Sequence, residues 1–259
     1  MTPATWADNG FCRFAYDPAL AAWVKAAAPV AQRSIDDPQL RARWLVCEGT
    51  WFIGVDALPN GPTGAIAGVP LAGRAIDFAQ GLFGRLSLHR AQVSVVWPGY
   101  PKPRAGESAA ALRYREVRDA AHLDGIKAMG SKRQRRIDEL HGWILGVPLN
   151  EAGAGASPLV VWRGSHEVMR ARLLQALDEV DQMHWREVDL TLAYQAARRE
   201  VFETCERVEV AAQPGESYLL HRLSLHGVAP WLGGSREGRR VAYFRPEMPG
   251  GPGDWLCRP

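Results

Sequence analysis

His122-Leu123-Asp124-Gly125 is the stretch on which the reading of this 259-residue chain turns. In extended backbone, side chains alternate between faces, so His122 and Asp124 project to the same side. An imidazole and a carboxylate placed that way need one more nitrogen to make a three-ligand face for a divalent metal. His226, followed directly by Gly227, supplies it from a second stretch, LLHRLSLHGVAPW at 219–231. Two histidines and one carboxylate leave coordination positions open, the arrangement suited to non-heme Fe(II). Neutral imidazole and ionised carboxylate are both present at neutral pH without unusual pKa demands. His-x-Asp alone is a common chance string, and its weight here comes from the distant partner. His221 competes with His226, because it is expected in the strand itself, where one of its two faces meets the same cavity. His141 begins a strand and reads as a strand-edge or supporting residue.

Working outward, residues 89–97 (HRAQVSVVW) alternate and stop at Pro98-Gly99-Tyr100-Pro101. Residues 111–124 are expected to carry the metal pair into the next strand. Runs at 142–149 and 159–162 read as buried strands separated by the small-residue turn Glu151–Pro158, and further strands are expected at 207–212, 217–222 and 239–245. Helical stretches fall at 166–180 and 190–206. In the N-terminal third, 17–33 reads as a helix with Asp17 at its N-cap and Pro18 at its first position, and 36–46 repeats that start signal. Residues 73–87 place Ile76, Phe78, Ala79, Leu82 and Phe83 on one helical face. Strands closing around a metal, with helices grouped early and inserted late, argue for a mostly β fold with flanking helices. The expected architecture is a double-stranded β-helix (jelly roll, cupin-like). One such domain is expected over 1–259, with a helical N-terminal region (about 1–87) packed on it.

Composition narrows the function classes. Hydrophobic residues at 47% and charged residues at 23% describe an ordinary globular protein with material for a sizeable core. A net charge of +3, from 31 basic and 28 acidic residues, is too small to imply nucleic acid. The basic run Lys132-Arg133-Gln134-Arg135-Arg136 reads as a solvated face or mobile loop, with contact to an anionic substrate tail as the alternative. Cys12, Cys47, Cys205 and Cys257 show no metal-type spacing and read as free thiols in a reducing cytoplasm. The first residues lack the basic start and apolar run of a leader. No stretch approaches the ~18 uninterrupted apolar residues of a membrane helix. A cytoplasmic monomer or homodimer, acting on a small molecule and not on a membrane, is the expectation.

Taken in order, HLDG (122–125), WRGSH (162–166), LLHRLSLHGVAPW (219–231) and GRRVAYFRP (238–246) resemble the Fe(II)/2-oxoglutarate-dependent dioxygenases of the phytanoyl-CoA dioxygenase type. The resemblance covers roughly residues 88 to 247 and is weak before that. It implies iron held by His122, Asp124 and His226, with 2-oxoglutarate and O2 as co-substrates and succinate and carbon dioxide as co-products. It also implies that His166, in Gly164-Ser165-His166, belongs to a turn and helix start capped by Ser165. The co-substrate's far carboxylate needs a cation, and a planar guanidinium grips it with two parallel hydrogen bonds. The family carries such an arginine on the strand after the distal histidine. Here Arg239 and Arg240 stand side by side and only one can face inward; the family string favours Arg239. Halogenating relatives replace the carboxylate by a small residue, so Asp124 implies hydroxylation or another oxidative outcome.

Cavity candidates are Asn150, Trp162, and either Gln92 with Ser94 or Val93 with Val95. Tyr114 and Arg118 precede the metal pair and are candidates for substrate contact. Trp97, Trp143 and Trp231, among ten tryptophans, are candidates for a pocket wall. Two rival readings are a cupin-like metalloenzyme that does not use 2-oxoglutarate and a non-catalytic metal-binding protein. Arg239 argues against the first, and the triad together with that arginine argues against the second.

Overall fold

The computed structural model describes residues 3–234 and 236–258. Its strands are β1 (Phe11–Phe14), β2 (Leu45–Val46), β3 (Trp51–Phe52), β4 (Gln92–Val96), β5 (Ile126–Met129), β6 (Gln134–Ile137), β7 (Trp143–Pro148), β8 (Leu159–Trp162), β9 (Arg207–Val210), β10 (Ser217–His221), β11 (His226–Val228) and β12 (Arg239–Phe244). A large sheet runs β1-β10-β7-β12-β4-β3-β2, a smaller one β11-β8-β9, and β5 and β6 form a hairpin. The large and small sheets enclose a shared apolar interior as a double-stranded β-helix, so the jelly-roll expectation holds.

Alternation sorts the faces of each strand. Val241 and Tyr243 of β12 turn inward to meet Ile144, Leu159, Val161, Tyr218 and Leu220, which together fill the space between the sheets. Their neighbours Ala242 and Phe244 turn outward and join Leu145 and Val147 under the N-terminal helices. The helix Pro18–Asp36 starts where the Asp17 carboxylate accepts the Ala19 N–H, and it buries Trp23, Val24 and Ala27 against that face. The helix Arg74–Phe83 adds Ala75, Ile76 and Ala79. On the other side, Met169 and Leu173 of the helix Ser165–Leu177, with Tyr194, Ala197 and Val201 of Thr191–Thr204, cover Val160 and Trp162. Each large apolar side chain fully buried contributes ~1.5–3 kcal/mol, so both layers of helices clamp the barrel from outside.

Three expectations need correction. The N-terminal region is not helical alone: β1 pairs with β10, and the β2–β3 pair extends the large sheet beyond β4. Strands of two residues, such as β2 and β3, are too short to register as an alternating run. Residues 111–124 do not form a strand. Ser108 caps a helix at Ala109–Val117, and the chain then bends at Asp119 and Ala120, both at positive φ (52° and 54°). His122 pairs only as a lone bridge, to His226. The basic run is a solvated turn only at its start: it forms the tip and then the return strand of the β5–β6 hairpin. Lys132 and Arg133 are exposed there, while Arg135 lies 4.3 Å over the Tyr194 ring. Among the described residues no helix is long and apolar enough to cross a membrane.

Candidate metal centre and its cavity

The lone bridge sets the centre. The His122 N–H donates to the His226 carbonyl at 2.8 Å and the His226 N–H returns the bond at 3.1 Å, so the two residues stand opposite each other. Their rings lie 4.6 Å apart. Asp124 Oδ1 is 3.3 Å from His122 Nε2, and Oδ2 is 3.8 Å from His226 Nε2. One donor atom from each of the three falls within 4.8 Å of the others. Both Nδ1 atoms face backbone carbonyls, that of Ala120 (3.1 Å) for His122 and that of Ser224 (2.9 Å) for His226. Donation from Nδ1–H leaves each Nε2 with a free lone pair, as metal-binding histidines require. Gly227 packs so close to the Asp119 backbone that a Cβ there would lie 2.0 Å from its carbonyl oxygen. Only glycine lets the strand carrying His226 approach the bend before His122.

Charge follows from the surroundings. Burial lowers the His226 pKa to about 4, aided by His122 beside it, so the ring is neutral at neutral pH. Burial pushes the Asp124 carboxyl up, but Arg245 and the two imidazoles outweigh it and hold it well below the usual carboxylate range. At neutral pH the His226 imidazole is therefore neutral and the Asp124 carboxylate ionised, with the His122 ring beside them.

The triad opens into a cavity of about 590 Å³. Ile144, Leu159, Leu220 and Tyr243 line its apolar part, and Gln92 and Ser94 of β4 face into it. Val93 and Val95 lie on the opposite face, under the N-terminal helices. Trp44, Trp51 and Ile53 form a further wall from the β2–β3 extension, and Lys127, Glu139, His141 and Glu247 bring charged and polar groups. Arg245 sits at the triad itself: its Nε donates to Asp124 Oδ2 at 2.6 Å and Nη1 to Gln92 Oε1 at 2.5 Å. Neither Arg245 nor the two tryptophans was singled out from the sequence. The only signal for Arg245 is that it shares the strand parity of Arg239.

Arg239 is inward on β12, opposite Val96 of β4, and 9% exposed. Among the described residues its Nε and Nη2 have no partner. Burial works against its charge, but the hydroxyls of Tyr243 and Tyr218 beside it hold it protonated. Those hydroxyls are 2.9 Å apart, with Tyr243 lining the large cavity. Tyr218 and Arg239 line a smaller one of about 230 Å³. The Arg239 side chain thus lies beyond the tyrosine pair from the triad and does not line the larger cavity. Arg240 is on the other face of β12; its backbone N–H donates to Asn150 Oδ1 at 2.9 Å and its guanidinium reaches the Glu237 carbonyl at 3.4 Å.

The remaining candidates divide. His141 lines the cavity and pairs with Glu139 at 3.1 Å. His221 points out of the barrel, its ring 4.8 Å from that of His166 and 5.7 Å from that of Trp6. The Ser165 hydroxyl does not cap its helix; it accepts the Leu225 N–H instead. Asn150 lines the smaller cavity. Trp162 and Trp143 lie on outer faces in the two helix-covered cores, and Trp97 and Trp231 pack outside the cavity. Tyr114 donates to the Ala121 carbonyl at 2.7 Å, and Arg118 stacks on Phe202.

No protein-family model matches the chain, and no curated protein matches its sequence. Solved structures do share its fold. The epimerase SnoN, in complex with Fe3+, alpha ketoglutarate and nogalamycin RO, aligns with TM-score 0.55 and 15% identity over 95% of this chain and 81% of its own. SnoK, a non-heme alpha ketoglutarate-dependent carbocyclase from nogalamycin biosynthesis, aligns with TM-score 0.51 and 14% identity over 100% of this chain and 91% of its own. EctD from S. alaskensis with bound Fe gives TM-score 0.50 and 18% identity over 96% and 80%. At such identities the likeness establishes the double-stranded β-helix and nothing finer.

Proposed function

We infer that this protein is an Fe(II)/2-oxoglutarate-dependent dioxygenase of the phytanoyl-CoA dioxygenase type that hydroxylates a small organic molecule. One observation carries the reading: the His-Asp-His face opens into the barrel cavity, and beyond the Tyr218–Tyr243 hydroxyl pair the inward-facing Arg239 guanidinium is buried with no carboxylate partner among the described residues. The donor set fits iron, since two imidazoles and one carboxylate suit Fe(II) while leaving positions for a co-substrate. The orphaned Arg239 nitrogens fit the far carboxylate of 2-oxoglutarate, since a buried cation of this kind calls for an anion. The alpha ketoglutarate dependence of SnoN and SnoK supports the same conclusion.

Bound Fe(II), with 2-oxoglutarate and O2, supplies the oxidising power to break an unactivated C–H bond, with succinate and carbon dioxide as co-products. His122 and His226 present Nε2 because the Ala120 and Ser224 carbonyls hold their Nδ1 protons. Asp124 brings the negative charge that offsets part of the ion's. Arg239, with the Tyr218 and Tyr243 hydroxyls, holds the co-substrate's far end. Ile144, Leu159 and Leu220 keep water from its chain. Trp44, Trp51 and Ile53 give the substrate an apolar wall. With a carboxylate at 124, no halide position is vacated, which favours hydroxylation. The reading takes 1–259 as one oxygenase domain, cytoplasmic and acting without a membrane or nucleic acid.

The test is a metabolite screen with Fe(II) and 2-oxoglutarate, scored by succinate release. A substrate that stimulates succinate in step with its own hydroxylated product supports the reading. Absence of 2-oxoglutarate turnover, with or without added metabolites, counts against it.

A further inference from the structure

Asp124's two oxygens do different things. Oδ1 faces His122 Nε2 at 3.3 Å, whereas Oδ2 takes a 2.6 Å charge-assisted bond from Arg245 Nε. Arg245 is itself held in place. Its Nη1 donates to Gln92 Oε1 at 2.5 Å, Gln92 Nε2 donates to the Ile53 carbonyl at 2.8 Å, and the guanidinium lies 5.2 Å over the Tyr243 ring. The carboxylate is thus tied, through two side chains, to the cavity wall at Ile53.

A carboxylate beside a divalent ion can offer one oxygen or both. A guanidinium N–H on one oxygen competes for its lone pairs and turns the group so that the other faces the metal. The difference matters in an octahedral site. Two imidazoles, a two-oxygen carboxylate and the two donors of 2-oxoglutarate would use every position, whereas a one-oxygen carboxylate leaves one open.

We propose that Arg245 is a positioning residue that limits Asp124 to one-oxygen coordination and so keeps a metal position open beside bound 2-oxoglutarate. The proposal rests on the metal site inferred above. Arg245 needs no contact with substrate or co-substrate for this role, and Gln92 acts only by fixing the guanidinium. A lysine would supply charge but not the second, simultaneous bond to Gln92.

The test uses the full chain loaded anaerobically with Fe(II) and 2-oxoglutarate, with nitric oxide as the probe of the open position and electron paramagnetic resonance as the readout. The wild type is expected to form the high-spin iron–nitrosyl species. Arg245→Met is expected to retain one Fe(II) and its 2-oxoglutarate but to require on the order of 10–100-fold more nitric oxide. Gln92→Leu should shift the same way by less, and Arg245→Lys should recover part of the loss. Unchanged nitric oxide affinity in Arg245→Met overturns the proposal. So does weaker 2-oxoglutarate binding with unchanged nitric oxide affinity, which would assign Arg245 to the co-substrate. If Arg245→Met fails to fold, Gln92→Leu decides, since it leaves both charges in place; no shift there overturns the proposal. A wild type that binds no Fe(II) overturns the metal reading beneath it, a different result from a metal-loaded variant that behaves as wild type.

Discussion

Replacing Arg239 by methionine should move two quantities in opposite directions. Arg239 is 9% exposed, two of its nitrogens lack partners among the described residues, and its neighbours are the hydroxyls of Tyr218 and Tyr243. Without a co-substrate it is a buried cation with no counter-charge, which costs several kcal/mol that the hydroxyls only partly offset. Methionine fills similar space without that cost, so unfolding of the ligand-free protein should become harder by roughly 1–4 kcal/mol. With 2-oxoglutarate the sign reverses. A lost bidentate, buried charge pair costs about 2–5 kcal/mol, so the dissociation constant should rise roughly 30- to several-thousand-fold. Arg239→Lys should also bind weakly, because an ammonium lacks the planar fork. Arg240→Ala, on the opposite face of β12, should leave binding unchanged. Urea unfolding of the ligand-free variants and anaerobic calorimetry with 2-oxoglutarate give both numbers. Lower stability in Arg239→Met together with unchanged 2-oxoglutarate affinity would make Arg239 a structural residue and not a co-substrate anchor.

Further outcomes follow from the same geometry. His122→Ala, Asp124→Ala and His226→Ala should each lose stoichiometric Fe(II) binding while keeping the wild-type circular dichroism, and His221→Ala, outside the barrel, should keep its metal; metal analysis after gel filtration checks this. His226 titrates near 4 in the folded chain against an ordinary 6.5, so between those values the unfolded chain binds more protons. Its contribution of about 3 kcal/mol should be complete above pH 6.5 and be lost as pH falls through 4. Metal-free His226→Asn should show a flatter stability profile over that window in urea melts. Gly146→Ala puts a Cβ 2.0 Å from the Tyr218 ring. It should cost about 1–3 kcal/mol in thermal or urea unfolding, and the displaced tyrosine should weaken 2-oxoglutarate binding as well.

The jelly roll was legible because β4, β7, β8, β10 and β12 are long enough to show alternation or continuous burial. The edge pieces were not. β2 and β3 carry two residues each, and β1 pairs with β10 from a stretch whose register depends on its partner rather than on its own pattern. His122, Asp124 and His226 were readable as a group because unusual residue types recur at meaningful spacing. His122 and Asp124 nonetheless do not share a regular strand: the backbone reaches His122 through a positive-φ bend and extends only for a single bridge. Arg245 was missed because its role is tertiary, set by a carboxylate more than a hundred residues earlier in the chain. Trp44 and Trp51 were missed for a related reason, since only the β2–β3 extension of the sheet brings them over the cavity. Trp162 was misassigned because alternation along β8 sends it outward with Val160, not inward with Val161.

The most direct test of the central claim is an anaerobic absorption titration of the full chain, adding Fe(II) and then 2-oxoglutarate. One Fe(II) per chain is expected, followed by a visible charge-transfer band that saturates at one 2-oxoglutarate. The band should be absent in His226→Ala and should require far more co-substrate in Arg239→Met. Fe(II) binding with no such band at any 2-oxoglutarate concentration would rule out 2-oxoglutarate as co-substrate and leave the chain a metal protein of another kind.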